Sequence, residues 1–315
     1  MENEVSIDCN KKFCTFYPKE SLLIDDTRGM VDLDIEKAMK ELPVIPDVAM
    51  KIVGMAEESM DLSFGQLEDL IKLDPILSAK ILKVANSALY ARQREITSLK
   101  MAISLIGFKT IKSLVLLISA SNLFSKYRKT QFYRMFWRHS LYSAFASKHL
   151  TLLSATKEWA EQLFLMGLFH DIGQIALYNA DPEGYERILK RRQEENLRIR
   201  ALEREYFGTT HTEVGAEVLT RWNFPPLFVE VALSHGRDVV TSANRKWIAI
   251  VSMSDILANE FEGFPLPPEK ESVLQKLSQT IALKPDDITA LRGNFLDTLK
   301  EDPLYRECEQ LFNLG

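Results

Sequence analysis

An adjacent His and Asp lie inside the apolar stretch Leu163-Phe-Leu-Met-Gly-Leu-Phe-His170-Asp171-Ile-Gly173-Gln174-Ile-Ala-Leu-Tyr178. His and Asp side chains are mostly exposed in proteins unless they pair with another group or bind a ligand, so both need a partner here. A metal ion is one candidate partner, and a hydrogen-bonded His–Asp pair in the core is the other. Gly167 and Gly173 lie three residues before and after His170, and their lack of a Cβ allows close backbone approach.

The composition of the 315-residue chain indicates a globular protein. Hydrophobic residues make up 46% of it, which is enough for a sizeable core. The net charge is -5 and no long Lys/Arg block occurs, which disfavours nucleic-acid binding through a basic surface. We therefore expect small molecules or proteins as partners, and no nucleic acid.

The cysteines and the apolar runs bear on the cellular location. Cys9, Cys14 and Cys308 match neither a disulfide framework nor a complete zinc site, which favours a reducing compartment. The acidic N-terminus does not have the pattern of a signal peptide, and the longest apolar run is too short for a membrane span. We predict a cytoplasmic protein with no membrane partner.

Hydrophobic residues recur every three to four positions along most of the chain, and no convincing strand pattern occurs. Two segments, Ser63-Phe-Gly-Gln66 and Thr210-His211-Thr-Glu213, match the capping box and predict helix starts. Asp74-Pro75 predicts another start, as an N-cap followed by Pro at the first helical position. Gly107 is expected to close a helix, and residues 108–124 are apolar enough to form the buried centre of the first half. The sequence predicts an all-α fold.

The charged break Lys126-Tyr-Arg-Lys129 is the best candidate for an internal boundary. We predict an N-terminal arm over residues 1–30 and an N-terminal helical subdomain over 31–125. A second helical subdomain is predicted over 130–262 and a C-terminal helical extension over 265–315. Nothing in the sequence assigns a role to the arm or to the extension.

The segment from Tyr185 to about Tyr206 is rich in Arg and Glu at i,i+3 and i,i+4 spacing and follows a cap at Asp181-Pro182. Such pairs stabilise helices that face water. We predict one solvated helix here and not a binding surface.

Six His and Asp residues occupy inward-facing positions or helix ends and form a candidate ligand set: His139, His170, Asp171, His211, His235 and Asp255. His149 lies about 80° around the helix from His139 and is left out. His and carboxylate ligands suit Zn, Fe, Mn, Co or Ni better than Ca, and this set could hold one or two ions. Two ions could activate a water and clamp a phosphate. A hydrogen-bonded cluster without metal is the other interpretation.

The positions of His139, His170-Asp171 and Asp255 on successive helices resemble the HD superfamily of metal-dependent phosphohydrolases. The resemblance implies that these residues bind the metal. It also implies that His211 and His235 match positions that complete a two-metal site in some HD branches, including the HD-GYP cyclic-di-GMP phosphodiesterases.

The chain departs from the HD-GYP pattern at three places. Gln174 stands where the HDIGK-type motif supplies Lys, Ser234 stands where a second His would lie, and no Gly-Tyr-Pro loop follows His235. The missing Lys removes a charge that would neutralise the transferring phosphate, which argues against efficient hydrolysis.

Other segments are similar to the HDOD domain, a bacterial signalling module related to HD domains. They are Leu42-Pro-Val-Ile-Pro46, Asp74-Pro-Ile-Leu-Ser-Ala-Lys-Ile-Leu-Lys-Val-Ala-Asn-Ser87, Ile96-Thr-Ser-Leu99 with Ala102-Ile-Ser-Leu-Ile-Gly107, and His211-Thr-Glu-Val-Gly215. The resemblance covers roughly residues 35–260. It implies a multi-helix HD-like domain preceded by a smaller helical bundle.

The HDOD resemblance implies signal transduction through protein partners, with a small phosphorylated ligand as a further candidate. Our leading prediction is a regulatory protein that retains a metal site for one or two divalent ions and is not an efficient hydrolase. The alternative is an active metal-dependent phosphohydrolase that acts on a nucleotide or another phosphoester, in which Asp171 would be catalytic.

Overall fold

The computed structural model describes residues 35–42, 45–54, 60–86, 96–195, 197–237 and 241–314. The predicted N-terminal arm, Cys9 and Cys14 lie outside these residues. No strand occurs among the described residues, and the prediction of an all-α fold is confirmed. The helices are α1 (Ile35–Lys40), α2 (Asp47–Gly54), α3 (Met60–Lys72), α4 (Pro75–Ala85), α5 (Leu99–Ile106), α6 (Phe108–Leu123), α7 (Gln131–Leu153), α8 (Ala160–Phe169), α9 (Gly173–Ala180), α10 (Pro182–Glu195), α11 (Ile199–Phe207), α12 (His211–Arg221), α13 (Pro226–Ser234), α14 (Arg245–Phe261), α15 (Pro268–Thr280), α16 (Pro285–Glu301) and α17 (Pro303–Phe312).

Polar side chains at both ends of α4 hold this helix in place. The Asp74 carboxylate accepts hydrogen bonds from the backbone amides of Ile76 and Leu77, as its position before Pro75 predicts. At the other end of α4, the Asn86 amide bonds to both the backbone NH and the carbonyl of Ile96, at 2.8 and 2.7 Å. This pair ties the end of α4 to the segment that enters α5.

Two further predictions about the first half are confirmed and one is wrong. Gly107 follows α5 with a positive φ of 91°, and most described residues of α6 are buried. The capping box predicted at Ser63 is wrong, because α3 has already begun at Met60. Met60 and Leu62 are good helix formers, so the helix extends upstream past the Ser.

The second half is built on α7, which packs against α8 and α14. Gly167 on α8 approaches α7 so closely that a Cβ there would lie 2.8 Å from the carbonyl oxygen of Ser143. A Cβ on Gly173 would lie 2.0 Å from the carbonyl oxygen of His211, at the start of α12. The close approach predicted for both glycines is confirmed, and it brings α7, α8, α9 and α12 together around the His-Asp pair.

The prediction of one solvated helix from Tyr185 to Tyr206 is wrong in two respects. The segment forms two helices, α10 and α11, with a break between Glu195 and Ile199. Its inner face is also not solvated, since Leu202, Glu203 and Phe207 are buried. The charged residues at i,i+3 and i,i+4 spacing made the sequence look like a solvated helix, although α11 also has an apolar stripe that packs into the core.

The hydrophobic core continues into the C-terminal helices. Phe312 on α17 packs against Trp137 on α7, with ring centroids 4.3 Å apart, and Tyr305 stacks on Tyr142 at 6.2 Å. Residues 33–315 form one compact unit. The division into subdomains at 31–125, 130–262 and 265–315 stays a prediction.

No single helix in the described part of the chain is long and apolar enough to cross a membrane. The pair Leu99–Ile106 and Phe108–Ser121 meets the length and composition criteria together, but it is bent by 112°.

Candidate metal centre

Five separate segments bring the six predicted ligand residues together. His139 lies in the middle of α7, and His170 and Asp171 form the break between α8 and α9. His211 is the first residue of α12, where the Thr210–Glu213 capping box is confirmed. The remaining two, His235 and Asp255, follow α13 and lie within α14 respectively. His149 is exposed and takes part in none of these contacts.

The carboxylate of Asp171 is the centre of the cluster. Its Oδ1 lies 3.4 Å from Nε2 of His170, 3.2 Å from Nε2 of His211 and 3.1 Å from Nε2 of His235. Its Oδ2 lies 3.7 Å from Nε2 of His139. Asp171 therefore lies within ion-pair distance of all four histidines.

Two overlapping groups of donor atoms are compact enough to hold an ion. One consists of His139, His170 and Asp255, and the other of His170, Asp171 and His235. Within each group the ligand atoms lie within 4.8 Å of one another. His139 also connects to Asp255 directly, with Nε2 3.4 Å from Oδ1.

Each histidine is anchored through Nδ1, which leaves Nε2 facing the cluster. Nδ1 of His170 lies 2.7 Å from the carbonyl of Gly167, and Nδ1 of His235 lies 2.8 Å from the carbonyl of Ala232. The other two are backed by carboxylates, of Glu262 for His139 at 3.2 Å and of Glu203 for His211 at 2.6 Å. These oxygens can only accept, so Nδ1 carries a proton in each ring and Nε2 is the nitrogen that would bind a metal.

Three buried atoms of the cluster form no hydrogen bond of good geometry with the described residues, although a carboxylate oxygen or an imidazole nitrogen lies 3.1–3.4 Å from each of them. They are Nε2 of His139, Nε2 of His170 and Oδ1 of Asp171. Buried polar atoms in folded proteins are nearly always satisfied, so this group calls for a partner that the side chains do not supply. A divalent transition metal suits a donor set of imidazole nitrogens and carboxylate oxygens. The residues present therefore fit a metal ion.

The surroundings of the cluster raise the pKa of two of its histidines and lower the pKa of a third. Burial alone would lower the pKa of His139 and of His211, but their carboxylate neighbours outweigh it and raise each pKa to about 10. Burial lowers the pKa of His170 to about 4, which keeps this imidazole neutral. Burial would raise the pKa of Asp171, yet the surrounding imidazoles hold it well below its usual range. A metal would replace the protons of the two protonated histidines.

Three side chains contact the cluster in ways that the sequence did not predict. They are the carboxylates of Glu203 and Glu262 and the amide of Gln174. Glu203 on α11 is fully buried, and Glu262 directly follows α14. The side-chain amide of Gln174 donates to Oδ2 of Asp171 at 2.5 Å. Gln174 thus occupies the position of the expected Lys with a neutral group that bonds to the central carboxylate.

A cleft of about 690 Å³ opens above the cluster. Five of the six candidate ligands line it; His170 lies behind them. Arg192, Arg198 and Arg200 are also among its lining residues, and the segment Gly263–Pro267 contributes apolar surface. Arg192 also donates to the side chain of Asn259, which in turn donates to Asp255. A small charged molecule could therefore reach the centre.

Comparison with known proteins establishes the family and the fold. The sequence profile of the HDOD domain matches residues 42–237. The chain spans 44% of the length of a curated relative, an uncharacterized protein of Treponema pallidum (strain Nichols), and is 20% identical to it over 230 residues, 73% of this chain.

Three solved structures share the fold. An HDOD domain protein of unknown function from Geobacter sulfurreducens is 20% identical with a TM-score of 0.70, over 88% of this chain and 99% of that one. A candidate signal transduction protein from Marinobacter aquaeolei VT8 is 17% identical with a TM-score of 0.71, over 90% and 67%. A candidate phosphohydrolase from Shewanella amazonensis SB2B is 22% identical with a TM-score of 0.65, over 91% and 100%.

Proposed function

Because the chain belongs to the HDOD domain family, we propose that it is a regulatory signal-transduction protein that retains a metal centre. The centre would hold one or two divalent ions of Fe, Mn, Zn, Ni or Co. Signalling proteins would be its partners and the bacterial cytoplasm its location. Hydrolysis of phosphoesters would be slow or absent.

The metal part of the proposal is supported chiefly by the three orphaned atoms of His139, His170 and Asp171. A purely hydrogen-bonded His/Asp cluster would be expected to satisfy these atoms internally. Instead, the anchoring of every Nδ1 directs the Nε2 atoms towards one another, which places imidazoles and carboxylates around a common centre as a bound cation requires.

His139, His170, Asp171 and Asp255 would hold one ion. Asp171 and His235 would hold a second, with Asp171 shared between the two. His211 belongs to neither compact group, but its Nε2 lies 3.2 Å from Oδ1 of Asp171, so it would complete the ligands of the second ion. A bound divalent ion supplies Lewis acidity and lowers the pKa of a coordinated water. In the regulatory reading the same ions hold five segments of the fold in one arrangement, so metal binding stabilises the domain.

The regulatory part of the proposal is supported by Gln174. Its amide is neutral and is already bonded to Asp171, so it cannot neutralise a transferring phosphoryl group as a Lys would. The chain keeps the residues that suit a metal but lacks a cation at the position where hydrolysis would need one.

An active metal-dependent phosphohydrolase is the second candidate, and the cleft favours it. Arg192, Arg198 and Arg200 line the cleft together with the metal ligands, and guanidinium groups match the geometry of phosphate oxygens. The name of the Shewanella structure points the same way. A nucleotide or another phosphoester would be the substrate, and Asp171 would then serve catalysis.

An activity screen separates the two candidates. Wild type and His170→Ala are each incubated with Mn²⁺, Fe²⁺ or Co²⁺ and assayed on nucleotides and cyclic dinucleotides. We expect the wild type to show no turnover above that of His170→Ala. Turnover by the wild type that His170→Ala loses would overturn the regulatory reading in favour of the hydrolase.

A further inference from the structure

Glu203 is a buried carboxylate that the six-residue ligand set does not explain. It lies on α11 with a relative exposure of 0%, in a stretch whose other acids, such as Glu205, form ion pairs at the surface. Burying a carboxylate is costly unless hydrogen bonds and charge compensate for it. The position of Glu203 therefore requires a reason beyond helix solubility.

Two of the three hydrogen bonds that Glu203 accepts come from one candidate ligand, His211. Its Oε2 accepts from the backbone amide of His211 at 2.9 Å and from Nδ1 of the same residue at 2.6 Å. Its Oε1 accepts from the hydroxyl of Tyr185 on α10 at 2.6 Å. One carboxylate thus fixes both the backbone and the ring of His211.

The hydrogen bonds between His211 and Glu203 determine where the other ring nitrogen of His211 points. Because Nδ1 donates to Glu203, Nε2 is the nitrogen that faces the centre, 3.2 Å from Oδ1 of Asp171, and a metal ion would take the place of its proton. A carboxylate behind an imidazole also raises its basicity as a metal ligand. Rotation of the ring would break the 2.6 Å bond, so its orientation is set before any ion binds.

We propose that Glu203 is a positioning residue that enables Asp171, His211 and His235 to hold a metal ion. The inference rests on the proposed function, since it presupposes that the centre binds metal. Glu262 stands in the same relation to His139, so each half of the centre has one histidine backed by a carboxylate and one backed by a backbone carbonyl.

The charges of the centre agree with this arrangement. Asp171, Asp255, Glu203 and Glu262 together bring four negative charges into a largely buried region, and each lies within ion-pair distance of at least one histidine. Two divalent cations with neutral imidazoles would balance these four charges. Without Glu203, the half that contains His211 would have Asp171 as its only carboxylate.

A purely structural role for Glu203 is the competing explanation, because the carboxylate also links α10 to α12. Tyr185→Phe is the matched control, since it removes the hydroxyl on the other side of Glu203 without touching His211. A structural role predicts that Tyr185→Phe and Glu203→Gln weaken the protein and its metal binding alike. A positioning role predicts that only Glu203→Gln weakens metal binding.

The test is a Co²⁺ titration of the full chain, followed by visible absorption and by equilibrium dialysis, with thermal unfolding of the metal-free proteins measured in parallel. We expect two equivalents of Co²⁺ to bind to wild type. Glu203→Gln keeps the size of the side chain but loses the charge, so the affinity for one equivalent should fall about 10- to 100-fold. The other equivalent and its absorption spectrum should stay unchanged, as should both equivalents in Tyr185→Phe.

The outcomes are distinguishable. A wild type that binds no Co²⁺ would contradict the proposed function itself. A wild type that binds Co²⁺ while Glu203→Gln binds it equally well, or while Tyr185→Phe loses as much affinity, would overturn only the role of Glu203. If Glu203→Gln does not fold, Glu203→Asp serves instead: it keeps the charge but withdraws the carboxylate by one methylene, and unchanged affinity in that variant would likewise overturn the proposal.

Discussion

Replacing Gly173 with Ala tests the close approach of α9 and α12 on which the centre depends. The added Cβ would lie 2.0 Å from the carbonyl oxygen of His211 and 2.5 Å from the amide nitrogen of Gly215. Both are backbone atoms, so no side-chain rotation relieves the clash and the helices must separate. Contacts of a Cβ below 3.0 Å essentially never occur, so the required movement is about 1 Å, the difference between 2.0 and 3.0 Å.

A separation of this size has two consequences. Overpacking in a core costs about 1–3 kcal/mol, and a clash with backbone belongs at the upper end of that range, so we expect Gly173→Ala to lose about 3 kcal/mol of unfolding free energy. His211 moves with α12, and Asp171 precedes Gly173 by two residues. The 3.2 Å distance between Nε2 of His211 and Oδ1 of Asp171 should therefore increase, and the binding of Co²⁺ should weaken.

Urea unfolding followed by helical circular dichroism measures the change, with Gly293→Ala as the control. Gly293 is exposed within α16 and a Cβ there would have no neighbour within 4 Å. The same substitution at this position should stabilise the helix by up to about 1 kcal/mol, because Ala has the higher helix propensity. A Gly173→Ala variant that unfolds at the urea concentration of wild type would refute the packing argument.

Three further predictions concern caps and a thiol. Asn86→Ala should lower the free energy of unfolding in urea by about 1–3 kcal/mol, because the backbone NH and carbonyl of Ile96 lose their partner. A change below about 0.5 kcal/mol would contradict the role of Asn86 in joining α4 to this segment. Thr210→Ala should cost about 1 kcal/mol by the same assay through loss of the α12 N-cap, and an unchanged midpoint would argue against the capping box. Burial raises the pKa of the Cys308 thiol well above its usual range, so in a Cys9→Ser/Cys14→Ser variant a thiol reagent should label it only on unfolding; rapid labelling of the folded protein would show that this thiol is accessible.

The candidate ligands were predictable because each one interrupts an apolar pattern or stands at a helix end. His170 and Asp171 break a run of buried residues, and His139 shares a helical face with Phe136. A polar side chain at such a position needs a partner, which sequence alone can reveal. The distances among the six residues could not be predicted, because they depend on how five segments cross.

Glu203 was missed although a signal for it exists. Arg and Glu residues surround it, and the spacing of their charges is typical of a solvated helix. On α11, however, the partly or fully buried apolar side chains lie at positions i, i+3, i+7 and i+8 of an amphipathic helix, and Glu203 occupies position i+4 on the same face. The pattern runs through Ile199, Leu202, Glu203, Tyr206 and Phe207.

Glu262 carries no comparable signal in the sequence. It directly follows the last turn of α14 and precedes Gly263, a helix-end position that many exposed acids occupy. Its contact with His139 spans 123 residues and arises only because α14 packs along α7. Long-range packing of this kind is not encoded in local periodicity, so this half of the centre required the structure.

The metal content of the purified protein tests the central claim most directly. Wild type, His170→Ala and His149→Ala are freed of metal, incubated with Mn²⁺, Fe²⁺, Zn²⁺ or Co²⁺, dialysed and analysed by mass spectrometry of the elements. The His/Asp centre predicts at least one ion per wild-type chain, equal retention by His149→Ala and retention reduced at least about tenfold in His170→Ala. A wild type that takes up none of the four metals would contradict it.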